Sequence, residues 1–390
     1  MGNFTLYTDI YPSGFKSIIK QVSENVGLKK IKPVTGIISK HDTSNGYWKD
    51  VLSAADKTVL VEPPLTKFFY RKEVNSEGEL VVERTLRKEH MPYPEFWGEI
   101  VRNSIGTALR KPTKGEAIIS PVIDTYEAQS MSFEQLKRDE HYMTNQDHDF
   151  ELVKFNMKIA SYVVDLAREK NDSRKVFAGL FLDRTLLEDD RFYEIFEGYD
   201  DLDLGGYFLV TQGIDYGSDV EGLQALHRFI STVQERTPDR KIILYRTGML
   251  GALYSALFPN MQIGSTYGLP YRDSYNIRNI NPVKETRPLK FAKRTYAPDL
   301  LTTVKLPDAL RAWGDLNTEL DPREAEVNFT AMVKMAELTQ RFAHELNSAN
   351  DKKSFLEEKL NNGIQLVRET YLPSQYASHL RNWLNLLKRV

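Results

Sequence analysis

Cysteine is absent from the 390 residues. This excludes disulfides, thiolate zinc sites, iron–sulfur clusters and a cysteine nucleophile. It fits a reducing compartment, and a cytoplasmic protein is the expectation. Net charge is nearly absent as well: 52 basic residues oppose 54 acidic ones, so no global field favours nucleic acid or an acidic membrane. No apolar stretch reaches the roughly 18 residues that a membrane span needs. The N-terminus, Met1-Gly2-Asn3-Phe4-Thr5-Leu6, lacks the basic start and apolar run of a signal peptide. There is no glycine-rich loop ending in Gly-Lys-Ser/Thr, no Gly-x-Gly-x-x-Gly after a strand, and no Gly-x-Ser-x-Gly elbow. P-loop enzymes, Rossmann dehydrogenases and elbow-type serine hydrolases are thereby set aside. No early strand carries two histidines one residue apart, and His141 and His148 are too loosely spaced for a metal site. No motif names a metal or a cofactor.

Apolar residues make up 41% of the chain and aromatics 11%, enough to fill a sizeable core. Short continuous apolar runs alternate with amphipathic stretches. Strands are predicted at Val34–Ser39, Thr58–Glu62, Ala117–Asp124, Val176–Asp183, Gly206–Gln212, Lys241–Arg246 and Met261–Ser265, with an eighth in Lys293–Tyr296. Helices are predicted at Tyr47–Ala55, Glu95–Leu109, Asp149–Glu169, Arg191–Phe196, Val220–Arg236 and Gly251–Phe258. Continuous apolar strands belong in a sheet covered on both faces, and strand–helix alternation is the mark of parallel crossover units. The expected fold is α/β, a (β/α)8-like (TIM-type) barrel over residues 1–320. A doubly wound open sheet is the alternative.

Two regions depart from the alternation. Residues 67–88 read as a hairpin insertion around Asn75-Ser76-Glu77-Gly78. Residues 267–299 are rich in loop signals. From 321 to 390 the chain reads as a helical extension: Arg323–Leu346, Ser354–Thr370 and Pro373–Lys388. Its apolar stripes exceed what barrel closure needs, and Trp383, Leu384 and Leu387 suggest a homodimer interface.

In a parallel barrel the site forms where strands end. Here those ends are polar. Glu62, Asp124 and Asp183 follow neighbouring strands and are the candidate catalytic residues. Lys40, His41, Gln212, Arg246 and Tyr267 are the candidate substrate-binding residues. The plain account of any one of them is that chains turn polar on reaching water and that Asp caps the next helix. Convergence of several on one rim points instead to a ligand site. Paired carboxylates about 5–5.5 Å apart suit retaining glycosidases, and pairs about 6.5–9.5 Å apart suit inverting ones. The expected function is therefore a hydrolase or glycosyl-transferring enzyme for a small sugar- or nucleotide-like substrate, with Asp183 as its leading acid or nucleophile. The layout resembles (β/α)8 enzymes in general, an analogy of architecture that leaves the chemistry open. The second reading is a non-catalytic or nucleic-acid-directed protein. For it, Arg71, Lys72, Arg84, Arg87, Lys88, Arg110, Lys111 and Lys114 interleave with Phe68, Phe69 and Tyr70.

Overall fold

The computed structural model describes residues 2–9, 36–40, 58–62, 70–110, 117–127, 130–132, 147–268, 294–313 and 329–390. Eight strands close into a barrel: β1 (Phe4–Asp9), β2 (Gly36–Lys40), β3 (Thr58–Glu62), β6 (Ala117–Ile119), β8 (Lys175–Leu182), β9 (Leu204–Thr211), β10 (Lys241–Tyr245) and β11 (Ile263–Gly268). Around the ring the order is β1-β11-β10-β9-β8-β6-β3-β2, and every neighbouring pair is parallel. The chain has the expected (β/α)8-like fold.

The continuous apolar runs are explained by two buried faces. Val176, Ala178, Leu180 and Leu182 of β8 join the core between strands and helices. Their alternates Phe177, Gly179 and Phe181 therefore face the barrel interior. Around the ring pack α1 (Pro94–Arg110), α2 (Phe150–Glu169), α3 (Arg184–Glu188), α4 (Asp190–Phe196), α5 (Val220–Arg236) and α6 (Leu250–Leu257). Asp149 caps α2 by accepting Glu151 N–H, and Asp219 caps α5 by accepting Gly222 N–H.

The first strand was not among those predicted. In Phe4–Asp9 the residues Thr5, Thr8 and Asp9 break up the apolar ones, so no continuous apolar run marks it, and it sits in the ring between β11 and β2. The segment predicted as the eighth barrel strand does something else. It forms β12 (Arg294–Ala297), which pairs antiparallel with β13 (Thr302–Lys305) outside the ring. The predicted strand ending at Asp124 pairs only through Ile119, because Pro121 has no N–H to give the ladder. Beyond it the Asn156 carboxamide takes over the ladder's role. It accepts Ile123 N–H at 2.8 Å and donates to Ile123 O at 2.8 Å.

The hairpin is present as β4 (Tyr70–Val74) and β5 (Leu80–Arg84), with β7 (Ser130–Ser132) added antiparallel to β5. Asn75 Oδ1 holds the turn by accepting from Glu77 N and Glu79 N, and Gly78 supplies the positive φ of +81°. The predicted helix Tyr47–Ala55 lies outside the described residues.

At the C-terminal end are α7 (Leu306–Trp313), α8 (Phe329–Ser348), α9 (Lys352–Glu369) and α10 (Ser378–Arg389). The α8 carboxamides serve β1 directly. Asn347 Oδ1 accepts Phe4 N–H at 2.8 Å, its Nδ2 donates to Phe4 O at 2.8 Å, and Gln340 donates to Leu6 O at 3.2 Å. Strand β2 pairs β1 only from Tyr7 onward, so these side chains stand in where the ladder is missing. Lys352 Nζ reaches Gly2 O at 2.6 Å. The expected dimer surface is corrected here: Trp383, Leu384 and Leu387 are buried within the single chain, where α10 packs on α5 and α9. An apolar stripe buried at home is not offered to a second copy.

Candidate functional site at the strand ends

Asp183 follows β8 in extended conformation and caps α3, its Oδ1 accepting Leu186 N–H at 2.9 Å. That much is the ordinary account of a strand-end Asp. The same Oδ1 also accepts the Thr185 hydroxyl at 2.9 Å and faces His148 Nε2 at 2.9 Å. Oδ2 accepts the Tyr126 hydroxyl at 2.8 Å. An ionised carboxylate only accepts, so Nε2 is the nitrogen of His148 that carries the proton. On the other side of the ring, Nδ1 lies 2.8 Å from Thr125 Oγ1. Tyr126 stacks on His148 at 5.0 Å and meets Phe181 edge-on at 5.4 Å.

Burial by itself would push the Asp183 carboxyl up. The hydrogen bond and charge of His148 outweigh it, joined by Leu186 N–H and the Tyr126 hydroxyl, and hold Asp183 below the ordinary carboxylate range. It is an anion at neutral pH.

Asp124 belongs to the same network but has a different environment. Arg84 Nη2 donates to Asp124 Oδ1 at 2.8 Å and its Nε to Oδ2 at 3.3 Å, and neither side chain has any exposed surface. Arg84 also donates to Tyr126 O, and Tyr126 N–H donates to Asp124 Oδ1 at 3.3 Å. Tyr126 thus joins both carboxylates. The segment is pinned by an antiparallel bridge between Tyr126 and His148, with Glu127 N–H on Asp147 O and Asp149 N–H on Thr125 O.

Of the residues expected at this rim, Asp124 and Asp183 meet in one network. Glu62 and Lys40 end adjacent strands in direct register, and β3 neighbours β6. The side chains of Glu62, Lys40 and Tyr267, and the whole of His41, lie outside the described residues. Gln212 follows β9, is buried, and its N–H donates to Leu182 O at 2.7 Å. Arg246 follows β10 with φ +53°. Its N–H donates to Thr266 Oγ1 at 2.7 Å and its guanidinium lies 4.9 Å from the Tyr245 ring.

Sequence reasoning missed Arg84, Tyr126 and His148 as members of the site. His148 was weighed only as a metal ligand. A signal was available: it immediately precedes the Asp149 cap of α2, and helix N-termini lie on the strand-end face of such barrels. Arg84 comes from the hairpin insertion, which is built into the network through it. Part of the basic patch proposed for nucleic acid is likewise used internally, with Arg84 on Asp124, Arg87 on Glu83 and Lys88 on Asp149. Among the described residues, no cluster of three His, Asp or Glu side chains has metal-holding geometry, and no helix is long and apolar enough to cross a membrane.

No protein-family model and no curated protein matches the chain. Solved structures similar to it include a GH30 endoxylanase from Clostridium papyrosolvens, at 9% identity and TM-score 0.32, covering 72% of this chain and 68% of that one. A psychrophilic glycoside hydrolase family 10 endo-beta-1,4-xylanase is similar at 11% identity and TM-score 0.36, covering 71% and 96%. An endo-1,4-beta-xylanase from Caldicellulosiruptor owensensis is similar at 10% identity and TM-score 0.33, covering 72% and 89%. At these values the overlap adds nothing to the parallel ring already traced.

Proposed function

We propose that the chain is a barrel enzyme, a hydrolase or glycosyl-transferring enzyme acting on a sugar- or nucleotide-like small molecule, with Asp183 as its ionised carboxylate. The observation that carries this reading is the Asp183–His148 pair. It is a carboxylate held charged at a strand end, against an imidazole whose protonated nitrogen faces it. Such an anion stabilises positive charge developing at a sugar carbon, or attacks it. The complementary acid must be a carboxyl kept protonated. Asp215, in the loop after β9, is pushed up by burial, against a single lowering hydrogen bond from Gly217 N–H. Its raised value, opposite in direction to that of Asp183, makes it the carboxyl we offer as the complementary acid. Asp124, enclosed and neutralised by Arg84, is placed as a support for Tyr126.

One observation favours the second reading, of a scaffold that binds a partner without catalysis. Asp183 already accepts four hydrogen bonds and Asp124 is fully paired, so both carboxylates are satisfied by their own chain.

A panel of aryl glycosides and nucleosides, assayed with the wild type and with Asp183→Asn, separates the two. The enzyme reading expects turnover on one class, falling about a thousandfold or more in the variant. Release of no leaving group from any panel member, or an equal rate in Asp183→Asn with circular dichroism unchanged, favours the scaffold.

A further inference from the structure

The C-terminal helix touches the loop that leaves the strand-end rim. From Gln212 the chain runs through Gly213, at φ +71°, to the Asp219 cap of α5. The loop is tied internally. Thr211 Oγ1 donates to Ile214 O at 2.7 Å, Asp215 N–H to Ser218 Oγ at 2.7 Å, and Gly217 N–H to Asp215 Oδ1 at 2.8 Å. Its outward carbonyls are taken by α10. Trp383 Nε1–H donates to Tyr216 O at 3.0 Å, and Asn382 Nδ2 donates to Ser218 O at 2.9 Å.

His379, one turn earlier on α10, is the keystone of that contact. It is buried, with its ring edge-on to Tyr216 at 5.4 Å and to Trp383 at 5.8 Å. Its Nε2 lies 2.8 Å from Leu300 O, in the turn Pro298–Leu300. A carbonyl only accepts, so Nε2 carries the proton, and a neutral ring satisfies the site.

We propose that α10 is a positioning element for the rim, holding the 213–219 loop through Trp383 and Asn382, and that neutral His379 is an acid-sensitive latch that keeps α10 seated. That the loop flanks a working site rests on the functional reading above. That α10 holds the loop does not.

Protonation would add a charge to an apolar, enclosed ring. Burial already depresses His379 from an ordinary value near 6.5 to about 4, with the bond to Leu300 O opposing it. The titratable and charged groups on the elements around it are Asp215, Tyr216 and Asp219 on the loop, Asp299 on the turn, Tyr376, Arg381, Lys388 and Arg389 on its own segment, Glu221, His227, Arg228, Glu235 and Arg236 on α5, Tyr254 on α6, and Lys352, Lys353, Glu357, Glu358, Lys359, Arg368 and Glu369 on α9. None of them is among the causes that set its value. The undocked ring regains an ordinary value. By linkage, the ratio of undocked to docked α10 then rises about 30-fold from about pH 7.5 to about pH 5.

Hydrogen exchange of the loop amides in the full chain, corrected for the intrinsic pH dependence, reads this ratio directly. The expected result is an increase of about 30-fold in loop opening over that range in the wild type. His379→Gln keeps a donor for Leu300 O without a titrating ring, so its profile should be flat. Asn382→Ala should raise loop opening at neutral pH and leave the amides of β8 unchanged. A wild-type loop whose opening ignores pH, or an equal rise in His379→Gln, overturns the latch. Catalysis is not needed for this readout, so failure of the functional reading is seen separately, in the substrate panel.

Discussion

Tyr126 donates its hydroxyl to Asp183 Oδ2 at 2.8 Å, while its own backbone carbonyl receives the guanidinium that neutralises Asp124. One residue therefore couples a charged carboxylate to a neutralised one, across the ends of β6 and β8.

Tyr126→Phe removes that hydroxyl and keeps the ring against His148 and Phe181. Hydrogen bonds to charged groups contribute about 1.5–3 kcal/mol, so a loss of about 2 kcal/mol is expected in urea denaturation. The Asp183 carboxyl should titrate higher by NMR, since one of its lowering influences is gone. An unchanged titration would show that the phenol does not help to hold the charge.

Arg84→Met leaves the Asp124 carboxylate enclosed without its partner, at a cost of about 3–5 kcal/mol. Replacing both, Arg84→Met with Asp124→Leu, should recover most of that loss, because two charges no longer need to be kept out of water. A double-mutant cycle by chemical denaturation measures the coupling. Additive losses would mean that the pair is not a unit.

Stability should fall in acid in two windows. His379 is depressed in the folded chain, so the unfolded chain binds its proton first. The stability is whole above about pH 6.5 and is lost as pH falls towards about 4, by about 3 kcal/mol at roughly 1.4 kcal/mol per unit. Asp183 is also lowered on folding, so its contribution is present above the ordinary carboxylate value and disappears below it. His379→Gln should erase the upper window and spare the lower one, which denaturation midpoints followed against pH would register.

Asn347→Ala strips β1 of the side chain that serves both Phe4 N–H and Phe4 O. Leaving those backbone groups without partners should cost about 2 kcal/mol and speed exchange at the Phe4 amide. Exchange there as slow as in the wild type would mean that another group fills the gap.

The legible parts of the chain were those where a single physical signal dominated. Apolar runs such as Phe177–Leu182 have no use outside a sheet covered on both faces, and Asp149 and Asp219 are side chains that α2 and α5 need at their starts. Phe4–Asp9 was passed over because Thr5 and Thr8 break its apolar run. Thr5 alternates with the core residues Phe4 and Leu6 and so lies on the axis side of the ring, where a barrel interior accepts it, and no apolar run marks such a strand. Thr295 and Tyr296 carry the β preference of a barrel strand, yet they pair with Val304 and Thr303 in a hairpin. Asp183 and Asp124 were found by position alone. Their different roles come from Arg84 and His148, which lie 40 and 35 residues away along the chain. No local pattern carries contacts over such distances.

The seam at β1 has a consequence for the order in which the molecule can form. Phe4 and Gly2 are held by residues 343 and 350 positions further along, Asn347 and Lys352. The strand leaves the ribosome before every other strand of the ring, and its partners β11 and α8 come late. Contacts of such long sequence separation form slowly, because the loop they close must be ordered before they reward it. Ring closure is therefore a late event: β2 follows soon and can pair Tyr7–Asp9, but until β11 arrives the other edge of β1 has no strand to pair with.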